Sequence, residues 1–394
     1  MNKHILNTVI QDFIISNIDS DISKLLLKGI SFEGVSTTEL IEQIEAKNKA
    51  KTKLPTWYKT TNIYYPNKLN IEQTSSEVTA EYKARLVSGD TLIDLTGGLG
   101  VDAYYFSKRI ANVTHCEINS ELSEIAKHNF SRLDVDTITC YPESGLDVLK
   151  QSNTTYDWIY LDPSRRDDSK SKVFLLEDCT PNLLEVQDDL FTYADRVMVK
   201  TSPLLDITAT IKSLDRVEAL HVVAVNNEVK ELLWLLNKHV SSHLQLKTIN
   251  IRNDGDHTFD FNYSEEGQLE ATYSQPLTYL YEPNSAVLKS GAFHTVSNKL
   301  NVFKLHQHSH LYTSESLSLF PGRRFIIESV TPYKKKQIKS LRIGKANITT
   351  RNFPINVAAI RKQFGIKDGG DVYLFFTTNM ADERIVIKAR KVAD

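Results

Sequence analysis

The stretch Leu92-Ile93-Asp94-Leu95-Thr96-Gly97-Gly98-Leu99-Gly100-Val101-Asp102-Ala103 joins an apolar strand to a helix through a glycine-rich turn. A second strand pattern, Asn112-Val113-Thr114-His115-Cys116, follows and ends at Glu117. Glycines in such a turn let the backbone approach a ligand closely, and the start of the helix favours negative charge. A carboxylate at the end of the second strand is placed to accept hydrogen bonds from ribose hydroxyls. The stretch therefore predicts a site for a nucleoside.

Strand and helix patterns alternate on both sides of this turn, which is typical of a parallel, doubly wound sheet. Residues 1–60 have apolar residues at helical spacing, and Thr37-Thr38-Glu39 predicts a helix start there. Strands are predicted near 91–95, 112–116, 136–141, 157–161, 195–200, 217–225 and 245–251, with helices that include 119–132, 180–191 and 228–239. The fold class expected is α/β, Rossmann-like, with an N-terminal helical region and small C-terminal α+β domains.

Composition narrows the class of protein. The 394 residues are 41% hydrophobic and 24% charged, as in ordinary globular proteins, and no apolar run reaches the roughly 20 residues that cross a bilayer. The three cysteines lack metal-ligand spacing, so we expect a cytoplasmic protein without a metal or a membrane partner. Residues 321–394 hold 16 Lys and Arg against 6 Asp and Glu, a net charge of +10, whereas the rest carries −12. A polyanionic partner is expected for this basic segment.

The identity of the nucleoside depends on one acidic residue. Gly98, Gly100 and Ala103 also satisfy the pattern G-x-G-x-x-G/A of dinucleotide-binding proteins. However, Asp94 directly precedes the glycines, where a carboxylate would repel a pyrophosphate but accept hydrogen bonds from the ammonium group of a methionine. The fourth strand ends in Asp162-Pro163, and the hydroxyls and amide of residues 73–76 are suited to a methionine carboxylate. S-adenosylmethionine (SAM) is therefore favoured over NAD.

On these motifs, residues 72–250 resemble a class I SAM-dependent methyltransferase. The resemblance implies a seven-stranded sheet of order 3-2-1-4-5-7-6, with Glu117 as the ribose-binding acid and Asp162-Pro163-Ser164-Arg165 in the place of motif IV. The cofactor-binding residues that it implies are Thr74, Ser75, Ser76, Asp94, Thr96, Gly97, Gly98, Gly100, Glu117, Ile118, Glu143, Ser144 and Asp162, with Gln73 beside them.

A narrower resemblance covers most of the chain. It rests on residues 75–84, on Asp-Pro-Ser-Arg-Arg at 162–166, on 199–206, on Tyr-Glu-Pro-Asn at 281–284 and on segments at 320–324 and 367–371. With these, the chain is similar to bacterial methyltransferases that carry a C-terminal THUMP-like domain and are common in Bacteroidetes. The implied domains are an N-terminal helical region at 1–70, the methyltransferase domain at 71–252, a ferredoxin-like module at 270–320 and a THUMP-like domain at 321–394. THUMP domains bind RNA, which agrees with the basic charge.

Motif IV departs from the usual pattern for a base nitrogen, in which an aromatic residue follows Asp-Pro-Pro or Asn-Pro-Pro. Here Arg165 takes that place, and a guanidinium can stack on a base or bind phosphate. Cysteine, which methylation of a pyrimidine carbon needs, is missing after the fifth strand, and Cys179 is interpreted as a packing residue. A nitrogen or oxygen acceptor is therefore favoured. The expected catalytic residues are Asp162, Pro163, Arg165 and Lys200, although Lys200 could equally be a structural partner of Asp162.

The remaining candidates concern RNA and metal. A basic helix face and its neighbours predict phosphate contacts by Arg166, Arg323, Arg324, Lys334, Lys335, Lys336 and Lys339. The histidines at 306, 308 and 310 lack further ligands, so they are interpreted as ordinary polar residues. The function expected is SAM-dependent methylation of a base nitrogen in structured tRNA or rRNA. A protein or small-molecule acceptor, or a non-catalytic RNA-binding role, remains the alternative.

Overall fold

The computed structural model describes residues 1–152, 154–165, 176–240 and 243–392, except for the side chains of Lys28 and Arg165. Its contacts divide the chain into two compact units. The first comprises Met1–Val217 with Leu233–Val240, and the second comprises Glu218–Leu232 with Ser241–Asp394.

The first unit begins with helices, as the sequence predicts. They follow a 3-10 turn at Lys3–Leu6 and are α1 (Thr8–Ser16), α2 (Ile22–Lys28), α3 (Thr37–Lys53), α4 (Pro55–Lys59), α5 (Lys68–Gln73) and α6 (Glu77–Arg85). α3 starts where predicted, because the Ser36 and Glu39 side chains each bond the other residue's backbone N–H in a capping box. The buried side chains of Trp57 and Tyr65 belong to the same core as the methyltransferase helices.

The alternating region that follows forms strands and helices close to their predicted bounds. The strands are β1 (Thr91–Asp94), β2 (Asn112–Cys116), β3 (Ile138–Tyr141), β4 (Trp158–Leu161), β5 (Ser164–Arg165), β6 (Cys179–Thr180), β7 (Arg196–Thr201), β8 (Val217–Val225), β9 (Glu228–Asn237), β10 (Gln245–Ile251) and β11 (His257–Asn262). The helices among them are α7 (Val101–Phe106), α8 (Ser120–Arg132), α9 (Gly145–Gln151), α10 (Leu183–Leu190) and α11 (Ile207–Ser213), with a 3-10 turn at Leu176–Asp178.

Nine of these strands form one sheet of order β11-β10-β8-β9-β7-β4-β1-β2-β3. Counted along the chain without the short β5 and β6, its first seven strands have the order 3-2-1-4-5-7-6, which confirms the predicted methyltransferase sheet. β1 pairs in parallel with both β2 and β4, so their carboxyl ends meet at one edge. β10, predicted as one of the seven, lies outside them and pairs in parallel with β8 and antiparallel with β11.

The predicted helix at 228–239 is wrong, because residues 228–237 form strand β9. Asn226 and Asn227 both have positive φ angles, 49° and 66°, and join β8 to β9 in a two-residue hairpin turn. The apolar run of Leu232–Leu236 is buried, apart from the half-buried Leu235, as in a strand with sheet on both sides. A run that is apolar at consecutive positions does not distinguish a buried helix from a buried strand.

The second unit continues with a separate sheet. Its strands are β12 (Tyr279–Pro283), β13 (Phe303–Lys304), β14 (Tyr312–Ser314), β15 (Gly322–Pro332), β16 (Asn347–Arg351), β17 (Val372–Thr378) and β18 (Arg384–Lys391), in the order β13-β14-β12-β15-β18-β17-β16. The helices are α12 (Tyr263–Gln268), α13 (Ser285–Ser290), α14 (Phe293–Lys299), α15 (Lys335–Ser340) and α16 (Val357–Phe364). β12 pairs with β15, so the sheet runs across the Pro321–Gly322 boundary that the sequence predicts. β16 was not predicted. Within the described ranges, no helix is long and apolar enough to cross a membrane.

Candidate active site

The glycine-rich turn after β1 is closely packed on its protein side. Gly97 donates its N–H to the Cys116 carbonyl at 2.7 Å, and a Cβ at Gly97 would lie 2.3 Å from the His115 ring. Gly100 has a φ of 83°, and a Cβ there would lie 2.3 Å from Phe130. Both positions therefore need glycine because the surrounding protein leaves no room for a side chain.

Asp94 ends β1 and is almost completely buried, with 1% of its surface exposed. Its Oδ1 atom accepts a hydrogen bond from the Thr96 N–H at 3.0 Å. Burial raises the pKa of Asp94 well above its usual value, and the nearby carboxylates of Asp102, Asp162 and Glu117 raise it further. Four carboxylates therefore surround one point, which favours a cationic ligand and disfavours a phosphate.

Both carboxylate oxygens of Glu117 are held by the backbone at the end of β2. Oε2 accepts from the Gly98 N–H and Oε1 from the Asn119 N–H, each at 2.8 Å. Each oxygen keeps acceptor capacity for another donor, as a pair of ribose hydroxyls would require. Ile118, the next residue, leaves 76% of its surface exposed and lines the same pocket.

A buried polar network closes the floor of this pocket. Lys83 is fully buried and contacts the Asp102 Oδ1 atom at 2.9 Å and the Ser75 hydroxyl at 2.8 Å. The hydroxyls of Ser75 and Tyr160 each donate to Asp102 Oδ2 at 2.8 Å. Burial would raise the pKa of Asp102, but the ammonium groups of Lys83 and Lys200 outweigh it and hold that pKa below its usual value. Asp102 is therefore ionised beside Asp94.

Asp162 lies at the rim, directly after β4. Its backbone N–H donates to the Thr96 hydroxyl at 2.7 Å, which joins the fourth strand to the glycine turn. Its carboxylate forms an ion pair with Lys200 on β7. The Asp162 side chain is 33% exposed and that of Lys200 is 14% exposed, so the pair is accessible from the pocket side.

These residues line one cavity of about 370 Å³, within the range of small-molecule sites. Of the residues predicted to bind the cofactor, the cavity includes Gln73, Thr74, Ser75, Asp94, Thr96, Gly97, Gly98, Glu117, Ile118, Ser144 and Asp162. Ser76 instead caps α6 by accepting from the Thr79 N–H, and Glu143 is exposed outside the lining. Gly100 and Pro163 are buried beside it, and Lys200 reaches it through Asp162. Arg166 lies outside the described residues, as does the Arg165 side chain.

Several lining residues escaped the sequence analysis, notably Asn70, Asp102 and Leu146. Asp102 was interpreted as an ordinary turn acid, although it joins Lys83, Ser75 and Tyr160. An acidic residue two positions after the last glycine was the available signal. Lys83 gave none, because a lysine in a polar helix usually lies in solvent.

The residues predicted to bind RNA fall into two groups in the second unit. Lys334, Lys335, Lys336 and Lys339 are exposed at or beside α15, and among the described residues none of them forms an ion pair. Arg323 instead binds Glu282, and Arg324 lies half-buried on β15.

The histidines at 306–310 lie in a turn rather than on a strand. His306 contacts Asp382 at 2.9 Å, while His310 stacks on Phe293 with ring centroids 3.7 Å apart. Burial lowers the pKa of His310 to about 4. Within the described parts of the chain, no cluster of His, Cys, Asp and Glu is suited to hold a metal ion.

Comparison with known proteins now adds to this geometry. Two family descriptions match neighbouring segments, a ferredoxin-like domain at residues 279–321 and a THUMP domain-like family at 322–391. A crystal structure described as a "putative methyltransferase from Porphyromonas gingivalis W83" is 32% identical, covers 99% of both chains and superposes with a TM-score of 0.89. The chain belongs to this family of methyltransferases with a THUMP-like domain. A comparison with curated proteins finds no match.

Other solved methyltransferases align only with part of the chain. An rRNA methylase from Streptococcus thermophilus is 13% identical and covers 42% of this chain and 98% of its own, with a TM-score of 0.31. An O-methyltransferase from Bacillus cereus, solved in complex with SAH, is 11% identical and covers 43% of this chain and 88% of its own, with a TM-score of 0.34. Likenesses this distant do not define a substrate for the THUMP-like methyltransferase.

Proposed function

We propose that this methyltransferase uses SAM to methylate a nitrogen of a base in structured RNA. The observation that carries the SAM assignment is the group of four carboxylates, Asp94, Asp102, Asp162 and Glu117, around one cavity at the carboxyl ends of parallel strands. SAM carries positive charge on its sulfonium and ammonium groups, whereas a dinucleotide would bring phosphates to the same place.

The residues of the cavity fit the parts of SAM. Asp94 and the Thr74–Ser75 segment would hold the methionine end, with Ser75 anchored by Lys83 and Asp102. Glu117 would accept from the two ribose hydroxyls, because the backbone already orients both of its oxygens. Ile118 and Leu146 would provide apolar contacts for the adenine.

SAM, when bound, supplies an electrophilic methyl group for in-line displacement. The protein must then hold the acceptor close and aligned, since positioning supplies much of the rate in such a reaction. Asp162 is the residue proposed to accept a hydrogen bond from the acceptor amine. Lys200 orients that carboxylate through the ion pair and keeps it charged. A matched change, Asp162→Asn, would keep the size of the side chain and remove the charge.

The choice of RNA rests on charge. Residues 321–394 carry +10, and the lysines at 334, 335, 336 and 339 lie exposed without acidic partners among the described residues. Exposed cations of this kind are the usual contacts for phosphates. The THUMP domain-like match covers the same segment.

Transfer of a tritiated methyl group from SAM into RNA tests the proposal. RNA from a strain that lacks the gene would be fractionated by size and incubated with the full chain. We expect label in one tRNA or rRNA fraction, and little label in RNA from the parent strain, because its sites are already methylated. Asp162→Asn should lower the initial rate by about 100-fold, in the range of a positioned acid–base group. Label in protein or small molecules, with none in RNA, would contradict the RNA assignment.

A further inference from the structure

The second unit contains a cavity of about 530 Å³ that the proposed methyl transfer does not use. Its walls come from the β8–β9 turn, β10 and β11, the start of α13, and the strands β15, β16 and β18. The cationic side chains that line it are Arg252, Arg323, Arg351 and Lys391, against one carboxylate, Glu282. Asp254, outside the lining, pairs with Arg252, so the excess of positive charge centres on Arg323, Arg351 and Lys391.

Two of the arginines are fixed by a single buried acid. Glu282 on β12 is 4% exposed, and Arg323 stands directly opposite it on β15. The Nε and Nη2 atoms of Arg323 donate to Glu282 Oε2, while those of Arg351 donate to Oε1 at 3.2 and 2.9 Å. One charge thus orients two guanidinium groups and leaves a net positive charge. The Nη1 groups of both arginines make no hydrogen bond to any described residue, so they remain available to a ligand.

Two buried donors beside these arginines also lack acceptors among the described residues. Asn284 is 4% exposed, and its Oδ1 atom caps α13 by accepting from the N–H groups of Ala286 and Val287. Its Nδ2 group has no partner, nor has the buried Ser285 hydroxyl. Buried donors left unsatisfied are costly, so their position on the cavity wall indicates a ligand with acceptor oxygens.

The wall that carries these donors is held in place by asparagines. Asn250 on β10 accepts from the Asn227 N–H at 2.7 Å, and Asn227 accepts from the Ser285 N–H at 2.8 Å. Asn250 itself is 2% exposed. The β8–β9 turn is therefore tied to the start of α13 by side chains, and the donors on this wall are preorganised for binding.

We infer that this cavity binds a phosphate monoester carried by a ligand of mononucleotide size. Guanidinium groups match phosphate oxygens well, and an unpartnered amide N–H and hydroxyl add donors of the same kind. The volume is larger than a lone phosphate needs and lies within the range of small-molecule sites. The phosphate would come from a free nucleotide or from the phosphorylated end of an RNA strand. The inference stands apart from the SAM pocket and does not depend on the methyl-transfer proposal.

Calorimetry on the full chain tests the site with uridine 5′-monophosphate and with uridine, which lacks the phosphate. Uridine ligands avoid binding at a pocket suited to adenosine. We expect the monophosphate to bind at least tenfold more tightly than uridine. The source of the phosphate is distinguished by competition: displacement by a 5′-phosphorylated oligoribonucleotide, but not by its 5′-hydroxyl counterpart, assigns it to an RNA end, and displacement by neither assigns it to a free nucleotide.

Two variants and one control locate the binding. Arg351→Gln should weaken uridine monophosphate by at least about tenfold, the loss of one charge-assisted contact. Asn284→Ser keeps a capping oxygen for α13 and removes the amide donor, and should weaken it several-fold. Lys362→Gln changes an exposed lysine on α16 by the same charge and should have no effect. Equal binding of the monophosphate and uridine, or equal affinities of Arg351→Gln and Lys362→Gln, would overturn the inference.

Discussion

At the scale of single residues, Asp94 combines a cost in stability with a role in ligand binding. Burial raises its pKa, so the folded protein binds this proton more tightly than the unfolded chain does. The contribution to stability is therefore present at low pH. It is lost as pH rises from about 4, the usual value for Asp, through the raised pKa. A cationic ligand would reverse this by favouring the ionised carboxylate.

Asp94→Asn tests that reasoning, since asparagine keeps an oxygen for the Thr96 N–H and removes the charge. We expect the ligand-free variant to match or exceed the wild type in thermal stability at pH 7.5, while its SAM affinity falls by at least about tenfold. The wild type should also bind SAM more weakly as pH is lowered through the raised pKa, and the variant should not show that dependence. Equal SAM affinities for the two proteins would contradict the role of Asp94.

Some site residues were predictable because their backbone positions follow from the motif. Asp94, Thr96, Gly97, Gly98 and Glu117 lie at the ends of adjacent parallel strands, where a strand–turn–helix pattern places them without knowledge of packing. Lys83 and Asp102 meet only after α6 and α7 pack together, and no local pattern encodes that contact. Glu143 illustrates the opposite failure, since position after β3 alone does not set which way a side chain points.

At the scale of elements, the glycine turn depends on how β2 and α8 pack against it. Gly97→Ala would place a Cβ 2.3 Å from the His115 ring, which is itself fully buried. We expect a loss of about 1–3 kcal/mol of unfolding free energy, as for other overpacked sites, together with loss of SAM binding. Denaturant titration and calorimetry would measure both.

Gly267→Ala provides the matched control, because a Cβ there meets no heavy atom within 4 Å. It lies in α12, where alanine is the better helix former, so its stability should be unchanged or slightly raised. Equal stabilities for Gly97→Ala and Gly267→Ala would show that the turn has room for a side chain.

α6 and α7 are joined by the buried Lys83–Asp102 pair. Lys83→Met should destabilise the protein by about 3–5 kcal/mol, because it leaves a buried carboxylate without its main counter-charge. The double variant Lys83→Met with Asp102→Asn removes both charges and should recover part of that loss in denaturant unfolding. A double variant less stable than the sum of the two single changes would argue against this explanation.

Elements were predicted well where their pattern was periodic or bounded by clear turns. β1, β2, α8 and β17 fall within a residue or two of their predicted ends. β9 was mistaken for a helix because Leu232–Leu236 is apolar at every position, and the Asn226–Asn227 turn before it was not recognised as a hairpin. β16 was missed because all five of its residues are only half-buried and no apolar alternation marks it.

At the scale of the whole molecule, the opposite net charges of the basic C-terminal segment and the rest predict how the chain binds RNA. If the lysines at 334, 335, 336 and 339 contact phosphates, affinity for RNA should fall steeply as salt is raised from 50 to 200 mM. Changing all four to glutamine should weaken binding and make the plot of log affinity against log salt shallower by about 3 for a duplex. Filter binding over a salt series measures both quantities.

A variant with four glutamines placed at exposed lysines of the first unit, Lys24, Lys49, Lys51 and Lys68, is the control for net charge. It should change the salt dependence much less. Equal effects of the two variants would assign RNA binding to overall charge rather than to the lysines at α15.

Calorimetric titration of the full chain with SAM, and separately with NAD, tests the assignment of the carboxylate-lined cavity most directly. We predict saturable heat with SAM at one site per chain, at micromolar affinity typical of small cofactors, and no measurable heat with NAD. Tight binding of NAD without heat from SAM would contradict the account.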